Sequence, residues 1–254
     1  KTGADTGVLD YTTTFKGTSM DVYKGRSYYT GSIRGEEMLN YSYTYSGTDG
    51  PPSSTTVYFY GIGRSRAGTG VPSSTAMTET ANYAGDKTGA LYDTTDTDLR
   101  SRTYYFGYKG EALTDYMQTF MAVKRDDGTE ILDPRVKETT IYIYGTGLEA
   151  DVMRSTTTYQ YGSEGSKDPS MLHSLNLKSF TEYCGLNRGE ESMNFTFHYS
   201  GDNTMPTTTT VYFYGTGHIR GTSALGNTPM TASVVYNATA ESLHTDAVYT
   251  DPLS

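Results

Sequence analysis

Tryptophan is absent from this chain, cysteine occurs once, and proline appears only 8 times in 254 residues. The single cysteine, Cys184, excludes an internal disulfide framework. No His or Asn pattern surrounds it, so it reads as a small packed hydrophobe rather than a nucleophile. Long apolar runs are missing too. None approaches the ~20 residues needed to cross a bilayer, so no membrane span is expected. Basic residues are outnumbered, with Lys+Arg at 20 against Asp+Glu at 29 and a formal charge of −9. Without a basic stripe to neutralise phosphates, nucleic acid is not an expected partner. Leu, Ile, Val and Phe together make roughly 15% of the chain, a level that disordered sequences share. The chain begins at Lys1 and not at Met, as a processed form or an excised segment would.

What is present argues for order. Thr, Tyr and Val dominate, with Tyr at 25, and these branched or flat side chains suit a pleated surface. The 28 glycines recur at fixed places. These features predict an all-β fold with negligible helix, held by many tyrosine contacts in place of one aliphatic core.

Self-similarity is the clearest signal. Tyr58-Phe59-Tyr60-Gly61, Tyr142-Ile143-Tyr144-Gly145 and Tyr212-Phe213-Tyr214-Gly215 each follow a run of Thr or Ser. Upstream, Gly35-Glu36-Glu37-Met38-Leu39-Asn40-Tyr41 matches Gly189-Glu190-Glu191-Ser192-Met193-Asn194-Phe195, and Gly110-Glu111-Ala112-Leu113-Thr114-Asp115-Tyr116 is a looser version. Aromatic strand ends are predicted at Tyr29, Tyr45, Tyr60, Tyr83, Tyr105, Phe120, Tyr144, Tyr161, Tyr183, Tyr199, Tyr214 and Tyr236. They define a four-stranded unit of about 76 residues, in a tandem array that is sandwich-like or solenoid-like. The expected organisation is a tail of a preceding repeat (1–27) and three repeats (28–103, 104–181 and 182–254). Asp127-Gly128 marks a hairpin in the middle copy. The segment Pro169 to Phe180 is expected to hold at most one turn of helix.

Strand alternation puts Tyr41, Tyr43 and Tyr45 on one face and Ser42 and Thr44 on the other, while Val57-Tyr58-Phe59-Tyr60 is apolar on both faces and expects cover on both. More generally, the tyrosines are expected to pack between sheets or copies, with their hydroxyls reaching water or backbone.

Candidate chemistry is thin. The Gly-x-Gly after each tyrosine strand lacks the third glycine and the helix of a dinucleotide fingerprint, so a turn or bulge with positive φ explains it better. Glu36-Glu37 and Glu190-Glu191 resemble paired glycosidase carboxylates, but neighbours in a strand point to opposite faces. Solvated strand-end charge, or pairing with Arg34 and Arg188, is the expected role. Asp93, Asp96 and Asp98 are a weak candidate for calcium whose spacing fits no EF-hand loop. The histidines His173, His198, His218 and His244 form no His-x-x-x-His pair. No catalytic residue, metal or cofactor is therefore expected. Three sequons, at Asn40, Asn194 and Asn237, are possible glycosylation sites. Asn40 and Asn194 occupy equivalent positions, where the middle copy has Asp115.

At Tyr58-Phe59-Tyr60-Gly61-Ile62-Gly63-Arg64 and Tyr212-Phe213-Tyr214-Gly215-Thr216-Gly217-His218 the chain resembles the tyrosine-aspartate repeats of Rhs-type and teneurin-type shells. Gly stands where those repeats carry Asp, and their Gly-Arg-Leu is not found. The resemblance implies a secreted β-sheet spiral used for encasement or adhesion. The expected function is an extracellular or cell-surface structural protein, a subunit or segment of a fibre, filament or sheath. Its partners would be copies of itself or adjoining repeats. The alternative is an adhesin or carbohydrate-binding module that meets surface glycans through the loops 124–136 and 162–178, which only the middle copy has. A polysaccharide-active enzyme using Glu164 or Asp168 is a third reading.

Overall fold

The computed structural model describes residues 7–17, 22–47, 50–68, 70–89, 98–124, 130–168, 177–200 and 205–237. The chain divides into two compact units, Lys1–Val136 and Lys137–Ser254. The first holds β1 (Tyr11–Phe15), β2 (Tyr23–Thr30), β3 (Met38–Thr44), β4 (Ser54–Tyr60), β5 (Ser65–Arg66), β6 (Met77–Ala84), β7 (Leu99–Phe106) and β8 (Leu113–Lys124). Strand β9 (Glu130–Tyr144) crosses the division. The second continues with β10 (Met153–Gln160), β11 (Leu177–Cys184), β12 (Ser192–His198), β13 (Thr208–Tyr214), β14 (Ile219–Arg220) and β15 (Met230–Tyr236).

The protein is all-β, and each unit is an open antiparallel sheet. The order is β1-β2-β3-β4-β6-β7-β8 in the first and β9-β10-β11-β12-β13-β15 in the second. The short strands β5 and β14 pair with β4 and β13. Among the described residues, helix is limited to one 3-10 turn at Gly147–Glu149. Eleven of the twelve expected aromatic strand ends lie within one residue of an observed end; Phe120 lies four residues before the end of β8. Of the segment expected to hold a helical turn, Leu177 to Phe180 is strand β11, and 169–176 lies outside the described residues.

Strands β1–β6 and β10–β15 are built alike, down to their irregularities. The β1–β2 ladder shifts register between Thr14 and Phe15, and β10–β11 shifts between Thr158 and Tyr159. Tyr41 opposes Val57 as Phe195 opposes Val211. Phe59 opposes Arg66 as Phe213 opposes Arg220. The ladders of β4 with β6 and of β13 with β15 both shift one residue before the strand-end tyrosine, at Phe59/Tyr60 and Phe213/Tyr214. A β-bulge bends a strand and re-aims its side chains, so shared bulges give the two sets of six strands the same local shape.

Apolar side chains on β4 serve both faces, as the sequence predicts. Val57 and Phe59 are buried with Ala81, Tyr83, Leu99, Phe120 and Val136. Successive strand residues point to opposite faces, and Tyr60 on the other face packs with Met38 and Ala67, flanked by Tyr58, Val71 and Met77. In the second unit Phe195, Val211 and Phe213 form the equivalent core, packed by Phe180, Phe197 and Val234. Aromatic rings extend the first core across strands: Tyr28 stacks on Tyr41 at 4.6 Å, and Tyr43 meets both edge-on. Such pairs contribute roughly 0.5–1.5 kcal/mol each beyond the area they bury, which offsets the shortage of aliphatics.

One buried feature has no counterpart among the described residues of the second unit. Arg102 on β7 and Glu79 on β6 are both fully buried, with Arg102 Nη1 2.8 Å from Glu79 Oε1, and Arg64 Nε lies 3.3 Å from Glu79 Oε2. The position that pairs with Phe213 in the second unit is Ala232, where the first unit pairs Phe59 with Glu79. Removing Arg102 would leave the buried Glu79 carboxylate without its fully buried partner, with the part-exposed Arg64 still beside it, and breaking a buried pair costs far more than an apolar replacement of the whole pair. Arg102→Met should therefore destabilise the protein by about 3–5 kcal/mol in urea unfolding. Glu79→Met combined with Arg102→Met should recover most of that loss, and a double variant as unstable as the single one would refute this assignment.

Candidate functional site

The features that set this chain apart gather at the turns that follow the tyrosine strands. After Tyr60 the chain reverses through Gly61 (φ 65°) and Arg64 (φ 50°); after Tyr214 it does so through Gly215 (φ 64°) and His218 (φ 48°). Only glycine adopts such φ without strain, so Gly61 and Gly215 are turn glycines as expected. Gly145 follows a different logic. Its φ is ordinary, but a Cβ there would lie 2.6 Å from the Glu149 carbonyl oxygen, so the close approach of the 3-10 turn excludes any side chain.

Each reversal is locked by the same polar bonds. The Tyr60 hydroxyl donates to the Leu39 carbonyl at 2.7 Å, and the Tyr214 hydroxyl donates to Met193 at 2.9 Å. Thr78 and Thr231 hydroxyls donate to the carbonyls of Gly61 and Gly215 at 3.0 and 2.8 Å. Arg66, returning on β5, donates from Nε and Nη2 to Asn40 Oδ1 at 3.0 and 2.7 Å. Arg220 on β14 donates from the same atoms to Asn194 Oδ1 at 3.2 and 2.9 Å. Burial lowers the pKa of both guanidiniums.

This lock accounts for two of the three sequons. The Asn40 Nδ2 donates to Thr30 Oγ1 at 3.3 Å, and that of Asn194 to Glu182 Oε1 at 2.7 Å. Asn194 is 3% exposed. After β9 the turn from Gly145 to Met153 contains no Arg-bearing short strand, and Asp115 stands where the sequence pattern aligns with Asn40. Asparagine thus recurs where an arginine needs its carbonyl. Asn237 ends the described part of the second unit, and the rest of its sequon lies outside the described residues.

The glutamate doublets lie in turns, not in strands, which corrects the expected geometry. Glu37 Oε2 accepts from the Gly35 N–H at 2.8 Å and Oε1 from the Leu9 N–H at 2.9 Å, ahead of β1. Glu191 accepts likewise from Gly189 at 2.7 Å and from Met153, the first residue of β10, at 3.0 Å. These main-chain donors, with the Leu9 N–H foremost and Arg34 nearby, hold the Glu37 carboxyl below its usual range. The first glutamate of each doublet differs between copies. Glu36 Oε2 accepts from Ser73 Oγ at 2.7 Å, whereas Glu190 Oε2 accepts from Asn187 Nδ2 at 2.8 Å.

Between the turn of Glu36 and the loop of Ser73 lies a hollow of about 450 Å³, bordered by Thr30, Ser32, Ile33, Met38 and Val71. A neighbouring one of about 340 Å³ shares Met38 and reaches Tyr60 and Lys109. In the second unit the matching loop has Gly226 where the first has Ser73, and a Cβ there would lie 2.6 Å from the Glu190 carbonyl oxygen.

Asp93 and Asp96 lie outside the described residues, as do His173 and His244, and Asp98 is ion-paired with Lys87 at 2.6 Å. His198 and His218 bond to Thr210 and Thr231. The half-buried Cys184 thiol is pushed up by burial, then by the charge of Glu182. Among the described residues no three His, Cys, Asp or Glu are placed to hold a metal ion, and no helix is long and apolar enough to cross a membrane. No protein-family model matches the chain, and no curated protein matches it.

The tyrosine locks also set the response to alkali. Burial, with Tyr58 nearby, pushes Tyr60 from 10.0 up to about 12. Tyr58 and Tyr214 are raised by the same cause. A raised folded pKa favours the neutral phenol, so this stability is complete below the unfolded value of about 10 and is lost as pH climbs through the folded values. Urea midpoints should fall between about pH 10 and 12, in step with tyrosinate absorbance. Tyr60→Phe and Tyr214→Phe, each leaving a carbonyl without its donor, should cost about 1 kcal/mol apiece at pH 7; values near zero for both would refute the lock.

Proposed function

We propose that this chain is an extracellular structural protein, a subunit or segment of a fibre, filament or sheath that assembles from copies of itself. One observation carries the reading. Strand β10 is flanked on both edges, pairing with β11 on one side and through seven residue pairs with β9 on the other. Its counterpart β1 pairs only with β2 among the described residues. The same holds at the far end. Strand β6 pairs with β4 and β7, while its counterpart β15 pairs only with β13 among the described residues, with Val235 61% exposed. Among the described residues, strands of one design are thus flanked twice at β6 and β10 and once at β1 and β15.

An edge strand offers a row of main-chain donors and acceptors to another strand. A second copy that docks β15 against β1 continues the ladder, and a head-to-tail contact that does not close makes a filament. The three-copy reading of 28–254 and the resemblance to tyrosine-aspartate shells support the same use, and an extracellular or surface location belongs with it. Sugar modification, if present, falls to Asn237 more readily than to the engaged Asn40 and Asn194.

Electron microscopy and sedimentation at micromolar concentration test this. Filaments or sheets are expected for the natural chain, and their loss is expected for Val235→Lys or Thr12→Lys, which place a charge on an exposed edge. A monodisperse monomer, or variants that assemble like the parent, would overturn the proposal.

A further inference from the structure

The hollow beside Glu36 is not a necessity of the framework. The second unit builds the same strands and closes the equivalent gap, because Gly226 lets its loop rest directly on Glu190. In the first unit the loop carries Ser73, whose hydroxyl bonds Glu36 at 2.7 Å and props the loop away from the turn. The space left open, about 450 Å³, falls within the roughly 300–1,000 Å³ of small-molecule sites.

Its lining is amphipathic. Glu36 uses one oxygen for Ser73 and keeps further lone pairs to accept from a ligand. The Thr30 hydroxyl oxygen already accepts from Asn40 Nδ2 at 3.3 Å, which leaves its proton to donate, and Ser32 adds a hydroxyl of both kinds. Ile33, 58% exposed, and Val71 supply aliphatic walls, and the buried Met38 closes the floor. The carboxylate repels phosphates and other acids. A neutral ring that combines several hydroxyl donors with C–H faces satisfies all of these groups together.

We propose that this hollow is a saccharide-binding site that takes a single pyranose unit. It lies on the first copy and not on the middle-copy loops where the sequence places a recognition surface, and it does not depend on the filament reading. With no aromatic platform in the lining, the affinity belongs in the millimolar range.

The test is methyl NMR of the full chain, following the Met38 and Ile33 signals during titration with the methyl glycosides of glucose, galactose, mannose and N-acetylglucosamine. At least one sugar should produce a saturable shift of both signals. Glu36→Gln should weaken it about tenfold, and Ser73→Gly, which copies the closed unit, should abolish it; methyl dispersion elsewhere reports that each variant is folded. Saturable shifts that persist unchanged in both variants would overturn the site, as would no shift with any sugar. A response to N-acetyl-lysine methylamide but to none of the sugars would also overturn it, by making the hollow an amine site.

Discussion

A chain poor in aliphatics must bury tyrosines, and a buried tyrosine must find an acceptor for its hydroxyl. At Tyr60 and Tyr214 the two units meet this constraint in one way. The last tyrosine of the central strand donates to the carbonyl of a residue at or near the start of the neighbouring strand, Leu39 or Met193. That bond fixes where β4 and β13 end, and the glycine turn must follow at once. The turn sends an arginine back along the strand edge, and the arginine in turn fixes Asn40 or Asn194. Strand end, turn and arginine partner recur together in both units.

The lock leaves the outer turns free to diverge. Behind it, the second glutamate of each doublet ties its turn to the start of β1 or β10 by the same two main-chain bonds. In front of it, the loops differ by a residue and by the exchange of Ser73 for Gly226, and one unit stays open where the other is shut. A repeat whose register is set from within can vary its rim without losing its fold.

Much of this was legible in the sequence. Strand positions could be read because most long strands end at or beside an aromatic and the steps between these aromatics recur in one order, and the double burial of Val57 to Tyr60 because both parities are apolar. The short strands β5 and β14 could not be read, since two residues carry no periodicity. Glu79 and Arg102 look like solvent-facing charges on alternating strands, and their burial depends on two strands meeting. A comparison of copies held the missing clue, because Ala232 stands where Glu79 does. The equivalence of Asn40 and Asn194 was visible, but a sequon hid its cause, which lies 26 residues away at Arg66 and Arg220. The hollow was invisible because it depends on how closely one loop approaches one turn.

The same arginine–asparagine lock holds both units. Double-mutant cycles at Arg66 with Asn40 and at Arg220 with Asn194, read by urea unfolding, measure it in isolation. Coupling of about 1–2 kcal/mol at both pairs is the predicted result. Coupling indistinguishable from zero at either pair would contradict it, and the two units would then share a strand pattern without sharing what holds it.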